Sequence, residues 1–165
     1  MPFRYMQLLF PVLVTLHNAE EAIRIPRWKR RSGPWFGGAE PGVFRFVVVV
    51  FTALAAMATA LSAVSGRMSF WGNVTFGYMA AVLFNAFFPH IAVSMAKRTL
   101  MPGVITAVAL NVPILTFLIV SALRQGYVTA HDAVVYSIGV GLVLLLMLPL
   151  LFKVGKMMGY GEAVP

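Results

Sequence analysis

The sequence predicts an all-α, polytopic membrane bundle of about five transmembrane helices, and three observations point that way. Of its 165 residues, 60% are hydrophobic and only 11% are charged, where a soluble domain carries about 25% charged residues. The apolar residues gather into runs near the ~20 residues that a helix needs to cross a bilayer. The charges fall in the gaps between those runs.

In chain order the predicted spans cover roughly residues 3–23, 44–64, 70–96, 103–123 and 132–152. The length suits one transmembrane helical domain, residues 1–165, with no separate soluble unit. The first run carries no charge from Tyr5 to Leu16 and ends in His17-Asn18-Ala19-Glu20-Glu21. A cleavage site there would place that polar cluster beside the cut, so the run reads as a span and not as a leader. Phe46 to Val64 forms an uncharged second span, with the small residues Ala56, Ala60, Ser62 and Ala63 suited to close helix packing. The third is long and interrupted by Asn85-Ala86-Phe87-Phe88-Pro89-His90, and the fourth holds Asn111 and Pro113 near its middle. Asn111 reads as a hydrogen-bonding group between helices. The fifth begins at His131-Asp132, an interfacial cap, and ends in the apolar run Leu142 to Leu151.

Charge then orients the bundle. Arg24, Arg27, Lys29, Arg30, Arg31, Arg45, Lys97, Arg98, Lys153 and Lys156 fall on one side, against Arg4, Arg67 and Arg124 on the other. The positive-inside bias predicts an outside N-terminus and a cytoplasmic C-terminus. A net charge of +8 placed in this way reads as topology and attraction to anionic lipid headgroups, not as nucleic-acid binding. In the first connection, Trp28, Trp35 and Phe36 among the basic residues suit the headgroup layer.

The polar residues inside the apolar runs carry the functional reading. Ionisable groups within a span are expensive to keep there and mark a site by default. His17, Glu20 and Glu21 share one helical face, since i, i+3 and i+4 neighbours stack. His17 precedes Arg24 by seven residues and His90 precedes Lys97 by seven. At 1.5 Å per residue both histidines should lie about 10 Å inside the same membrane face. Pro89 cannot donate to the Asn85 carbonyl, so a broken, polar stretch is expected beside His90.

Imidazole nitrogens and carboxylates together suit zinc, and with open positions they suit iron or manganese. By the spacing of metallopeptidase helices, in which residues i and i+4 are ligands and the i+3 glutamate is the base, His17 and Glu21 are candidate ligands. Glu20 is then the candidate general base and His90 a third ligand from another span, and an exchange of roles between Glu20 and Glu21 stays open. Asn85 and the backbone at 102–104 are candidate oxyanion donors. The reaction would be metal-assisted hydrolysis of a lipid or amphipathic substrate near the headgroups. No cysteine is present, which excludes thiolate ligands and thiol nucleophiles.

Two further readings stay open. Intramembrane His and Glu residues also serve ion or proton transport. Alternatively, Glu20 and Glu21 pair with Arg24 while His17 bonds Asn85, making a structural polar clamp.

His17-x-x-Glu20-Glu21 and Asn85-x-x-x-x-His90 together resemble the family of integral membrane proteins named for its HXXEE motif. A third element of that family, Tyr-x-Pro-Gly-x-x-Thr, is similar to Leu100-Met101-Pro102-Gly103-Val104-Ile105-Thr106, with Leu100 where tyrosine is usual. The resemblance covers residues 1–106. It implies an enzyme and supports this choice of residues without naming a reaction.

Overall fold

The structure, a computed structural model, describes residues 1–32 and 40–161, with the side chains of residues 26–32 outside that description. The described residues are mainly helical, with no strand among them. A short helix α1 (Phe3–Met6) is followed by α2 (Leu9–Ser32), α3 (Pro41–Ser65) and α4 (Phe70–Asn85). A π-helical segment π1 (Ala86–Ile91) leads into α5 (Ala92–Lys97). Then come α6 (Val104–Thr106), a second π segment π2 (Ala107–Asn111), α7 (Val112–Arg124) and α8 (Ala130–Met157).

Four helical stretches among the described residues are long and apolar enough to cross a membrane: Pro41–Ser65, Phe70–Lys97, Val104–Arg124 and Ala130–Met157. They correspond to the second to fifth predicted spans and show a helical membrane protein. The first predicted span is divided. It breaks at Gln7 and Leu8, where the Phe10 N–H turns back to the Gln7 carbonyl at 2.9 Å. Pro11 has no N–H to return to residue 7, which accounts for a helix starting afresh here. The helix then runs past residue 23 to Ser32, so Arg24 and the bases behind it extend α2 itself. The aromatic and basic side chains expected at the headgroup layer, Trp28 to Phe36, lie outside the described residues.

Local chemistry sets the other boundaries. Pro41 opens α3, where its missing N–H costs nothing, and Gly66 ends it at φ 82°. The Ser69 hydroxyl caps α4 by accepting from the Gly72 N–H. Thr129 caps α8 by accepting from the Asp132 N–H, while its hydroxyl donates to the Asp132 carboxylate. His131 beside it is exposed, consistent with the expected interfacial cap.

Both π segments adjoin prolines. Pro89 lies inside π1, and Phe88 before it leaves helical geometry at φ −134° and ψ 116°. Pro113 follows π2 by two residues. In each case the carbonyl four residues earlier loses its donor; before Pro113 the turn widens, whereas at Pro89 the extended Phe88 makes a kink between two helical pieces.

The largest core cluster unites Phe3, Phe10 and Leu13 with Phe76, Met79, Leu115 and Leu118. Helix α4 packs against α8 and α3, and α2 against α3. Gly77 lets α4 and α8 approach closely, since a Cβ there would lie 2.3 Å from the Tyr136 carbonyl oxygen. The small-residue face of α3 matches the expected one only in part, at buried Ser62 and half-buried Ala63. Ala56 and Ala60 are exposed, whereas Ala55, Ala58, Thr59 and Ser62 are buried. That stripe, at i, i+3, i+4 and i+7, is the face of a regular helix. Asn111 is buried and makes no interhelical hydrogen bond among the described residues, contrary to expectation.

Candidate metal centre

The two histidines expected at one depth meet. The rings of His17, on α2, and His90, in π1, have centroids 4.7 Å apart and cross edge to face at 87°. Both are buried, at 3% and 1% exposure. Glu21 lies one helical turn beyond His17, and its Oε1 is 3.3 Å from the His90 Nε2. His17, Glu21 and His90 each offer one ligating atom, and these atoms lie within 4.8 Å of one another.

Gly103 closes this group from the α6 side. A Cβ built there would lie 2.7 Å from the His90 Cε1, 2.9 Å from the Glu21 Cγ and 2.9 Å from the His17 Cε1. Its backbone is left-handed, at φ 85°, a conformation natural to glycine. Proximity and backbone geometry thus both require the glycine of the Pro-Gly-x-x-Thr stretch.

Glu20 points elsewhere. Its Oε1 pairs with the Arg24 Nη1 at 2.6 Å. Its Oε2 accepts from the Thr106 N–H and the Thr106 hydroxyl, each at 2.8 Å. The Thr106 Oγ1 also lies 3.0 Å from the His17 Nδ1 and 3.1 Å from the Gly103 carbonyl oxygen. One backbone N–H at the start of the fourth span, that of Thr106, therefore meets an anion from within the protein, the Glu20 carboxylate. The proposed oxyanion backbone is reduced accordingly. Pro102 has no N–H, and the Val104 N–H donates to the Met101 carbonyl at 3.1 Å.

Asn85 is not tied to the cluster by a hydrogen bond. It ends α4 half-buried, with no side-chain hydrogen bond among the described residues. The clamp expected between His17 and Asn85 is absent, because His17 bonds Thr106 instead. Leu100, where tyrosine is usual, is 61% exposed and makes none of the contacts described for the cluster.

The donor set fits a divalent cation on three observations. The His17 Nε2 and the His90 Nδ1 are buried without a hydrogen-bond partner among the described residues. A carboxylate of the same cluster offers an oxygen atom beside them. The glycine leaves open the space that a side chain would fill. Two imidazoles and a carboxylate form a recurrent site for zinc and for non-haem iron.

Thr106, which the sequence offers only as the last residue of the Pro-Gly-x-x-Thr stretch, joins Glu20 to His17. The available signal was its i+3 spacing from Gly103, which puts its hydroxyl over the Gly103 carbonyl.

No solved structure matches this chain. The uncharacterized protein YrkK of Bacillus subtilis (strain 168) is 30% identical over 153 residues, covering 92% of this chain and 96% of its own length. Residues 8–118 match the family described as "Protein of unknown function with HXXEE motif", and they contain all five residues of the His/Glu/Thr cluster together with Gly103. This chain belongs to the HXXEE family of proteins.

Proposed function

We propose that this protein is a membrane-embedded, metal-dependent hydrolase acting on a lipid or another amphipathic substrate. The observation that carries the reading is the convergence of His17, Glu21 and His90 from two separate helical stretches within 4.8 Å. Zinc is the first candidate, with iron or manganese accepted by the same donors. A divalent cation held there would supply Lewis acidity and lower the pKa of a bound water.

The residues of the chain do the rest. His17, Glu21 and His90 hold the ion, and Gly103 keeps their meeting place free of side-chain bulk. Asn85, whose amide has no hydrogen-bond partner among the described residues, is the candidate donor to a substrate oxygen. On the orientation that the charge bias favours, with an outside N-terminus and a cytoplasmic C-terminus, His17 and His90 each precede a cytoplasmic basic residue, Arg24 or Lys97, by seven positions or about 10 Å of helix, which would bring the cluster near the ester, amide and phosphate bonds of lipids. Arg98 on the same side would attract anionic headgroups.

A structural reading draws on one observation of its own: Glu20 ties α2 to α6 through two bonds to Thr106. The test is elemental mass spectrometry of purified wild-type protein beside His17→Ala and His90→Ala. Near-stoichiometric zinc, iron or manganese in the wild type and its loss in both variants is expected. Turnover of a detergent-dispersed lipid without an ion gradient then separates hydrolysis from transport. Wild-type protein that stays metal-free after reconstitution would leave the structural clamp or a proton relay.

A further inference from the structure

We infer that Glu20 and Thr106 are positioning residues, which fix His17 as its Nδ1–H tautomer and reserve Nε2 for a ligand. The argument is a count of protons. The Thr106 Oγ1 has one hydrogen and three neighbours: the Glu20 Oε2 at 2.8 Å, the Gly103 carbonyl oxygen at 3.1 Å and the His17 Nδ1 at 3.0 Å. The first two can only accept. The single hydroxyl hydrogen serves one of them, and the charged, nearer carboxylate is the stronger acceptor. Toward His17 the oxygen is then left with lone pairs, so the Nδ1 must be the donor.

A neutral imidazole with hydrogen on Nδ1 has its lone pair on Nε2. That Nε2 is the buried nitrogen of His17 with no hydrogen-bond partner among the described residues. An imidazole held through one nitrogen by an oxygen acceptor, with the other nitrogen open, is the usual arrangement of a metal-bound histidine. Here the acceptor is a hydroxyl, itself oriented by a carboxylate that Arg24 holds from the other side.

This assigns Glu20 a different part from general base. Three donors from Arg24 and Thr106 converge on its two oxygens. The consequence for metal affinity rests on the metal-centre reading, whereas the tautomer itself does not.

The experiment uses full-length protein labelled with 15N-histidine, metal-free in micelles, with His17→Ala identifying the His17 resonances. Two-bond 1H–15N correlations distinguish the tautomers directly. Wild type is expected to show the Nδ1–H form at His17. Thr106→Val, nearly isosteric, should lose that signature, and Thr106→Ser should restore it. Zinc affinity should fall about 10–100-fold in Thr106→Val and stay within about threefold of wild type in Thr106→Ser. Nε2-protonated His17 in the wild type overturns the inference whether or not any variant folds. Unchanged zinc affinity in Thr106→Val overturns the positioning role. Protein that shows the Nδ1–H form and its loss in Thr106→Val, yet binds no divalent ion, keeps the tautomer assignment and removes the metal reading instead.

Discussion

Gly103 faces His90 so closely that a Cβ at residue 103 would lie 2.7 Å from the His90 Cε1, inside any normal contact distance. The same Cβ would press on His17 and Glu21, each at 2.9 Å. Gly103→Ala must therefore displace the candidate ligands or move the start of α6. It also places a side chain at φ 85°, which costs roughly 1–2 kcal/mol for an L-residue. The expected result is a loss of zinc affinity of more than about tenfold, with a smaller fall in thermal stability. Zinc titration beside thermal unfolding in detergent checks both. Wild-type affinity in Gly103→Ala would mean that the rings have room the structure does not show.

The adjacent carboxylates make a sharper contrast. Glu21 belongs to the His17–His90 group, whereas Glu20 is held by Arg24 and Thr106. Glu21→Gln keeps the shape but replaces a charged oxygen ligand with a weak neutral one, and stoichiometric metal should be lost. Glu20→Gln should retain the stoichiometry and weaken affinity by about 10–100-fold, as expected of a group acting through a ligand. Metal content and affinity measured on both variants decide the roles. The reverse pattern would exchange them.

The meeting of His17 and His90 was legible because depth in a membrane helix follows from counting. Both residues precede a basic position by seven, and their rings lie 4.7 Å apart. For Glu20 and Glu21 the i+4 spacing favoured Glu21 as the partner of His17, but the bonds that hold Glu20 were not legible. Both sit on the face of His17, and only the position of α6 shows that Thr106 reaches one and Gly103 abuts the other. The helix breaks were half-visible. Pro89 and Pro113 mark where hydrogen bonds fail, but a π-helical turn, a kink and a stop all answer a missing donor. The face of α3 was misread in part because alanine is small enough for either side, and burial of Ala55 instead of Ala56 is decided by the neighbouring helices.

At the other end of α2 a second buried polar group should matter for stability alone. The Tyr127 hydroxyl donates to the Ser62 carbonyl at 2.9 Å and accepts from the Gln7 Nε2 at 3.1 Å. Ser62 in turn donates to the Gln7 Oε1 at 2.8 Å. Tyr127→Phe removes both bonds and leaves the Gln7 Nε2 with the Arg4 carbonyl as its remaining acceptor, at a cost of about 1–3 kcal/mol. Gln7 is ten residues before His17 and lies beyond the break at which α2 begins, so zinc affinity should stay at the wild-type value. A thermal shift without an affinity change is the expected pair of results. A linked fall in both would show that the two polar groups are coupled through α2.

Asn18 separates fold from chemistry at the shortest range. It is the immediate neighbour of His17, yet adjacent helical residues face different ways. Its Nδ2 donates to the Thr52 Oγ1 at 2.7 Å and the Val48 carbonyl at 3.1 Å, tying α2 to α3. Interhelical bonds of this kind contribute about 0.6–2 kcal/mol in a membrane. Asn18→Ala should lower stability by that order while metal stoichiometry is kept, because the α6 contacts that hold His17 and Glu20 are untouched. Steric trapping or detergent titration measures the first quantity, and elemental analysis the second. If metal is lost at unchanged stability, Asn18 belongs with the ligand-positioning residues and not with the α2–α3 packing.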